Sequence, residues 1–371
     1  MSSLLLSPLE MRGLTMPNRI VVSPMCQYSA REGCATDWHL QHIAQYAYAG
    51  VGLFISEAAA VTPEGRITQE CLGLYNDENE AALRHVIDFS RIHGTAPLGI
   101  QLAHAGRKAS SHAPFHGRGP RAEGDRAWQT VAASAIPFDD HWPVPKALDD
   151  EGLARVKQAF VDGAIRSDRI GFDMIELHAA HGYLLATFLS PLGNRRNDQY
   201  GGDAIANRAR FPLEVFDAVR SVWPKDKPLG VRVSAVDWID GGMTIEDTVA
   251  FSAMLKDRGC DYVVASSGAM SPLQQIPVKP GYQVPFASAI RKATGMKTMA
   301  VGMITEPRQA EEVLQDGHAD MVALARGFLY NPRWAWHAAH ELGDPRPYMP
   351  VQYDRGHPDR MGEISIKSKS A

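Results

Sequence analysis

Short apolar runs of strand length recur along this chain at regular intervals. They are RIVVSP from Arg19, GLFISEAAAV from Gly52, PLGIQLAH from Pro97, FDMIELHAAH from Phe172, PLGVRVSAV from Pro228, YVVASSGA from Tyr262, KTMAVGMI from Lys297 and MVALARGF from Met321. Runs of this length, apolar on both faces and bounded by Gly or Pro, read as buried strands. The segments between them carry a helical period. In Asp77 to Gly94, Leu83, Val86 and Ile87 form an apolar stripe, Asp77 with Glu80 three residues on predicts the N-terminal cap, and Gly94 predicts the stop. Asp150 to Gly171 repeats the pattern with Leu153, Val156 and Phe160, and Thr305 to Gly317 does so with Pro307 in its first turn. Eight strand and helix units in alternation predict an α/β fold, a closed (β/α)8 TIM barrel, with residues 1–371 as one domain. A doubly wound open sheet is the competing topology. It is disfavoured because no strand is followed by GxGxxG, the glycine turn that seats a dinucleotide.

One long segment breaks the rhythm, residues 107–148 after the third strand, rich in Gly, Pro, His and Trp. Barrel active sites collect at the C-terminal strand ends, so this insertion is expected to cap the pocket. Residues 357–371 read as a polar, mobile tail.

Composition narrows the partners. With 371 residues and 45% hydrophobic content the chain can bury a large core, and a net charge of −4 gives no basic footprint for nucleic acid. No run approaches the roughly 18 consecutive apolar residues of a membrane span, and Leu4 to Leu6 is too short for a signal peptide. A soluble, cytoplasmic protein is expected. Cys26, Cys34, Cys71 and Cys260 are scattered and form no CxxC, which disfavours a disulfide framework or an iron–sulfur cluster.

The chemistry concentrates in IELHAAHGY, Ile175 to Tyr183, where a buried strand delivers His178, His181 and Tyr183 to one edge. Two ring nitrogens and a phenol suffice to bind a carbonyl oxygen and place an acid beside the neighbouring carbon. The alternatives are core histidines or a zinc site. A hydrolytic metal site draws a third ligand from elsewhere, and Glu176 is assigned to the opposite face of the strand from His178, which weakens the metal reading. The remaining strand ends, Ser23 to Tyr28, Ala58 to Ala60, Gln101 to His104, Arg232, Ser266 to Gly268, Gly302 and Arg326, hold no carboxylate pair and no nucleophile with a base. They offer amide, guanidinium and small groups suited to a planar ring with a phosphate tail. Gly302 and Arg326 follow strands seven and eight, where barrels commonly bind phosphate; Arg326 could instead pair with a surface acid.

With these residues in view, the chain closely resembles the Old Yellow Enzyme family of flavin-dependent ene-reductases, in its thermophilic-like branch of NADPH dehydrogenase and xenobiotic reductase type. The resemblance runs from about Leu4 to Gly356. It is carried by SPMCQYS from Ser23, EAAAVTPEGRIT from Glu57, IQLAHAGRKA from Ile100, IELHAAHGYLLATFLSPLGNRR from Ile175 and DQYGG from Asp198. SSGA from Ser266, PGYQV from Pro280, AVGMI from Ala300 and VQYDRG from Val351 complete it.

The resemblance implies noncovalent FMN, with NADPH or NADH as a transient co-substrate. Ser23, Pro24, Met25 and Cys26 would line the flavin, with Ala60 and Gln101 at its pyrimidine end and Arg232 beside N1 and the C2 oxygen. Ser267, Gly302, Ala325 and Arg326 would hold the tail and phosphate. Cys26 would tune the flavin, or be only a small buried hydrophobe. His178 and His181 would bind the substrate oxygen, Tyr28 and Tyr183 would flank the ligand, and Tyr183 would donate the proton. The implied reaction is ping-pong reduction of the activated C=C bond of enones, enals, maleimides or nitroalkenes. VQYDRG implies a homodimer or homotetramer in which Arg355 reaches the neighbouring active site. Two departures stand out: Ala325 where near relatives carry glycine, and a longer insertion after strand three. Lys108, in AGRKA, either reaches the pocket or is a solvated charge. Rival classes are another FMN-barrel dehydrogenase or oxidase, a metal hydrolase and a binding module.

Overall fold

A computed structural model describes residues 3–344 and 346–357. Eight parallel strands close into a barrel in chain order: Ile20–Val22, Leu53–Ala60, Leu98–Ala103, Met174–Ala179, Leu229–Ser234, Tyr262–Ser266, Lys297–Val301 and Met321–Leu324. They are numbered here as barrel strands 1 to 8. The seam is strand 8 on strand 1, with Val322 opposite Ile20 and Leu324 opposite Val22. All eight sequence runs are strands, and the closed topology excludes the open sheet.

The helices follow their predicted stripes with small shifts at the ends. Asp77–His93 is capped by Asn76, whose side chain accepts from the Asn79 N–H, so the cap lies one residue before Asp77. Glu80 instead meets Arg84, Arg166 and Arg169. Asp150–Ile170 begins at an Asp149 cap and ends at Gly171 with φ 96°, a left-handed closure that glycine adopts without strain. Pro307–Gln315 starts with its proline in the first turn, where the missing N–H costs nothing.

Two apolar layers hold the barrel. Outward-facing Ile100, Leu102, Ile175, Leu177, Val231, Val263 and Val322 pack under the helices. Inward-facing Val21, Leu53, Ile55, Met174, Tyr262, Val264, Met299 and Met321 fill the lower lumen, which Leu9, Met11 and Met16 of an N-terminal hairpin plug from below. Each such burial contributes about 1.5–3 kcal/mol. Gly230 makes room for the Tyr262 ring, since a Cβ there would stand 2.1 Å from it.

Strand parity corrects one assignment. Residues two apart on a strand share a face, so Glu176 points into the lumen with Met174 and His178, and Gln101 Nε2 donates to its Oε1 at 2.6 Å.

Residues 107–148 are not structureless. Two short strands, Val131–Ala132 and Lys146–Ala147, pair in parallel. The buried Arg107 guanidinium donates to Pro137 O at 3.1 Å and Met270 O at 2.6 Å. Trp128 Nε1 donates to Glu64 O at 2.9 Å, and Arg196 Nη1 to Ala133 O and Leu148 O. Of the predicted tail, all but His357 lies outside the described residues.

Candidate active site

The site forms where the lumen changes from apolar to polar, at the C-terminal ends of the strands. On strand 4, Met174, Glu176 and His178 rise in sequence along one face; on strand 5, Gly230, Arg232 and Ser234 do the same. His178 is opposite Arg232 in the strand register. The chain then turns through His181, at φ 59°, and Gly182, at φ 73°, before Tyr183 opens the helix Leu184–Leu189. A left-handed histidine is uncommon and survives only where its surroundings hold it. Here the His181 N–H donates to Ser234 Oγ at 2.9 Å, and its carbonyl accepts from Lys108 Nζ at 2.9 Å.

That turn brings His178 Nε2 and His181 Nδ1 face to face at 3.3 Å. His178 Nδ1 accepts from the Ala180 N–H at 3.2 Å, so the proton of the neutral ring lies on Nε2. Burial, followed by the charges of Arg232 and Lys108, holds the pKa of His178 well below the usual imidazole value. His181 is lowered in the same way, by burial first and then Arg232. Both rings are therefore neutral at physiological pH and bring no charge of their own to the site.

Tyr183 packs edge-on against His178, with ring centroids 4.9 Å apart. Burial raises its phenol well above the ordinary value, with Cys26 and Tyr28 as secondary causes, so it keeps its proton. The same neighbours show that the loop after strand 1 converges on this helix start. Glu57 anchors that loop: it accepts from the Gln27 N–H at 3.1 Å and faces His39 Nε2 at 3.2 Å. Tyr28, at φ 50°, stacks edge-on with Phe115 of the insertion at 5.9 Å.

The flavin positions implied by the sequence divide into two groups. Gln101, Arg232 and Ser23 come together in the buried lumen, where Arg232 Nη1 donates to Ser23 Oγ at 3.0 Å. Arg232 Nε and Glu176 Oε2 are buried without a hydrogen-bond partner among the described residues. A buried guanidinium with an unused donor at the rim of a polar lumen fits an electron-rich heteroaromatic edge. Gly302 sits at φ 115°, and a Cβ on it would meet Gln283 Nε2 at 2.5 Å. Ala325 precedes the short helix Arg326–Tyr330. Arg326 is exposed and makes no ion pair among the described residues; its Nη2 donates to Met303 Sδ at 3.2 Å. An unneutralised guanidinium beside the Gly302 loop fits a phosphate, and no acid among the described residues pairs with it. Ser267 is already engaged, donating to Gln283 Oε1 at 2.6 Å and accepting from Trp238 Nε1 at 2.8 Å. Pro24, Met25 and Ala60 occupy the ends of strands 1 and 2 as the sequence places them. Arg355 lies exposed in the turn Val351–Gly356.

Two features escaped the sequence, the neighbours of Cys26 and of Ser266, and a third, Lys108, was left open between pocket and solvent. Cys71, far from Cys26 in the chain, is brought beside it, and this neighbour together with burial pushes the Cys26 thiol pKa well up. Lys108 is no solvated charge: Nζ is held by the carbonyls of His181 and Ala269 at 2.9 and 3.0 Å, and burial lowers it to about 7. Its Nζ lies 4.4 Å from the centre of the Phe138 ring. Ser266 Oγ lies 2.7 Å from His181 Nε2. Among the described residues, no group of three or more His, Cys, Asp or Glu side chains is disposed to hold a metal ion, and no helix is long and apolar enough to cross a membrane.

Known proteins resemble this chain in sequence and in fold. Residues 4–344 match the model of the NADH:flavin oxidoreductase / NADH oxidase family. The chain is 48% identical over 358 residues to an NADPH dehydrogenase of Geobacillus thermodenitrificans, covering 96% of this chain and 99% of that one. It is 44% identical to an NADPH dehydrogenase of Bacillus subtilis, over 96% of this chain and all of that one. Among solved structures, morphinone reductase superposes with a TM-score of 0.77 at 29% identity, covering 93% of this chain and 91% of that one. A 2-naphthoyl-CoA reductase complex, at 23% identity, shares the fold over 92% of this chain and 52% of that one, with a TM-score of 0.82.

Proposed function

Because the chain belongs to the NADH:flavin oxidoreductase / NADH oxidase family, as an FMN-dependent, NAD(P)H-consuming flavin oxidoreductase of the Old Yellow Enzyme type, we propose that its oxidising substrates are activated alkenes. These are α,β-unsaturated aldehydes and ketones, maleimides and nitroalkenes. The observation that carries the proposal is the pair of neutral imidazoles whose Nε2 and Nδ1 meet 3.3 Å apart beside a phenol that keeps its proton. FMN, when bound, supplies two-electron chemistry between nicotinamide and alkene. The protein's own residues do the rest. His178 and His181 bind the carbonyl or nitro oxygen, where negative charge develops, and stabilise it without bringing a counter-charge. Tyr183 holds a proton for the α-carbon. Arg232 offers a fixed positive charge to the reduced cofactor's edge. Gln101, Gly302 and Arg326 hold the cofactor's two ends, with Ser23 to Cys26, Ala60, Ser267 and Ala325 between them. Nicotinamide and alkene occupy one pocket in turn, beneath a rim formed in part by Phe115 and Phe138 of residues 107–148, which act as a cap.

The test is an anaerobic half-reaction series on the purified protein. Its visible flavin spectrum is expected to bleach with NADPH or NADH and to recover with 2-cyclohexenone or N-methylmaleimide. Bleaching without recovery by any activated alkene would sink the substrate assignment. The proposal extends to a homo-oligomer in which Arg355 completes the neighbour's pocket. Chains carrying Arg355→Ala, mixed with chains carrying His178→Ala and His181→Ala, should regain activity above either parent. No recovery after demonstrated subunit exchange would remove Arg355 from the site.

A further inference from the structure

His181 is held by a pair of serines in addition to Lys108. Ser234 and Ser266 end barrel strands 5 and 6 and face each other in the strand register. Ser234 Oγ accepts from the His181 N–H at 2.9 Å and donates to Gly268 O at 2.9 Å, so both of its hydrogen-bonding roles are fixed. Ser266 Oγ makes one contact among the described residues, with His181 Nε2 at 2.7 Å. Ser266 is buried, and nothing in the alkene chemistry assigns it a duty.

Two proton arrangements are possible across this chain of atoms. In the first, His178 Nε2–H donates to a bare His181 Nδ1, and His181 Nε2–H donates to Ser266. The buried serine hydroxyl then has no acceptor for its own proton, a cost a buried polar group ordinarily avoids. In the second, the Ser266 hydroxyl donates to His181 Nε2, which leaves the proton on Nδ1. Both nitrogens facing the pocket then carry protons, and any oxygen entering beside them, from water or substrate, accepts from both. The second arrangement gives the buried Ser266 hydroxyl its acceptor and presents two donors, 3.3 Å apart, to one entering oxygen, which is then the acceptor that both N–H groups require.

We propose that Ser266 is a positioning residue that fixes His181 in the Nδ1-protonated tautomer, so that the histidine pair acts as a two-donor oxyanion site. The inference rests on the oxygen-binding role given to the pair above. A lone serine at the end of strand 6 thereby decides whether the histidine in the turn after strand 4 offers a proton or a lone pair.

The tautomer is read directly from nitrogen-15 imidazole spectra of the FMN-loaded protein, with the His181 signals identified by their loss in His181→Asn. Wild type should carry the His181 proton on Nδ1, both alone and with 4-cyanophenol as an oxyanion probe. Ser266→Ala should move at least part of the population to the Nε2-protonated form and weaken 4-cyanophenol binding by about ten- to a hundredfold, the range for a lost hydrogen bond to a charged group. Ser266→Thr keeps the hydroxyl and should restore the tautomer and most of the affinity. A wild-type proton on Nε2 would overturn the proposal, and so would an unchanged tautomer in Ser266→Ala; should that variant fail to fold, the wild-type spectrum alone decides. An Nε2 proton in a protein still reoxidised by enones removes the serine and keeps the function. An Nδ1 proton in a protein that no activated alkene reoxidises does the reverse.

Discussion

The lower and upper halves of the barrel lumen are built on the same strands and differ in kind. On strand 4, Met174 gives way to Glu176 and His178; on strand 6, Tyr262 and Val264 give way to Ser266. Below, the side chains meet the hairpin plug and exclude water; above, each is a hydrogen-bonding group with an assigned partner or an unused donor. Two residues of rise, about 7 Å along a strand, separate a packing problem from a chemical one. Stability and function are therefore stacked in one lumen and should respond separately to mutation.

The strongest way to break this division is at the bottom. Tyr262→Ala empties the lower lumen and should cost about 3–5 kcal/mol in denaturant unfolding, the range for truncating a buried aromatic. The molecules that remain folded should reoxidise with enone at the wild-type rate; slow turnover with undiminished stability would mean that the two halves are not independent. At the top, His178→Ala should lower the rate of flavin reoxidation by enone about 10²- to 10³-fold. Reduction by NADPH should stay near wild type, and equal slowing of both half-reactions would assign His178 to structure.

A smaller effect should appear at the phosphate end of the upper rim. Arg326→Ala should weaken FMN retention on dialysis by about ten- to a hundredfold, the value of a charge-assisted hydrogen bond, without changing the fold by circular dichroism. Flavin content that survives dialysis unchanged would refute the phosphate assignment. The mildest test uses pH. Lys108 is lowered to about 7 by burial, with Arg107 as a second cause. In the unfolded chain its amine titrates near 10.4, so between these values the unfolded state binds the extra proton and stability rises with pH. The difference in unfolding free energy between wild type and Lys108→Met should therefore shift in favour of wild type from about pH 7 towards pH 10. A difference that is flat across that window would show that Lys108 is not buried as a neutral amine.

The barrel was legible because a strand covered on both faces reads as an unbroken apolar run, and eight such runs leave few topologies. His178, His181 and Tyr183 were legible because one short segment carries all three. Parity was also available in IELHAAHGY, and the misassignment of Glu176 reversed it: a spacing of two places the carboxylate and His178 on the same side. Asn76 outdid Asp77 as a cap because only the residue just outside the helix can bend its side chain back onto the third N–H. Lys108, Ser266 and the Cys26–Cys71 contact could not be read, since their partners are backbone carbonyls or side chains brought near only by barrel closure. Nothing in a lone lysine or serine encodes which strand will be its neighbour.

The seam has a consequence for how the molecule is made. Strand 1 finds its second partner only when strand 8 arrives, some 300 residues later in the chain. At synthesis rates of about 5–20 residues per second that is a wait of roughly 15–60 s with an unpaired edge. The two strands that border this gap, Ile20–Val22 and Met321–Leu324, are the shortest of the eight, at three and four residues. A short edge offers little backbone to another nascent chain, so the barrel keeps its longer pairing surfaces, such as Leu53–Ala60, for neighbours that emerge promptly. Chains arrested just before Met321 should accordingly stay protease-sensitive yet dispersed on the ribosome, and aggregation through the strand 1 edge would contradict that account.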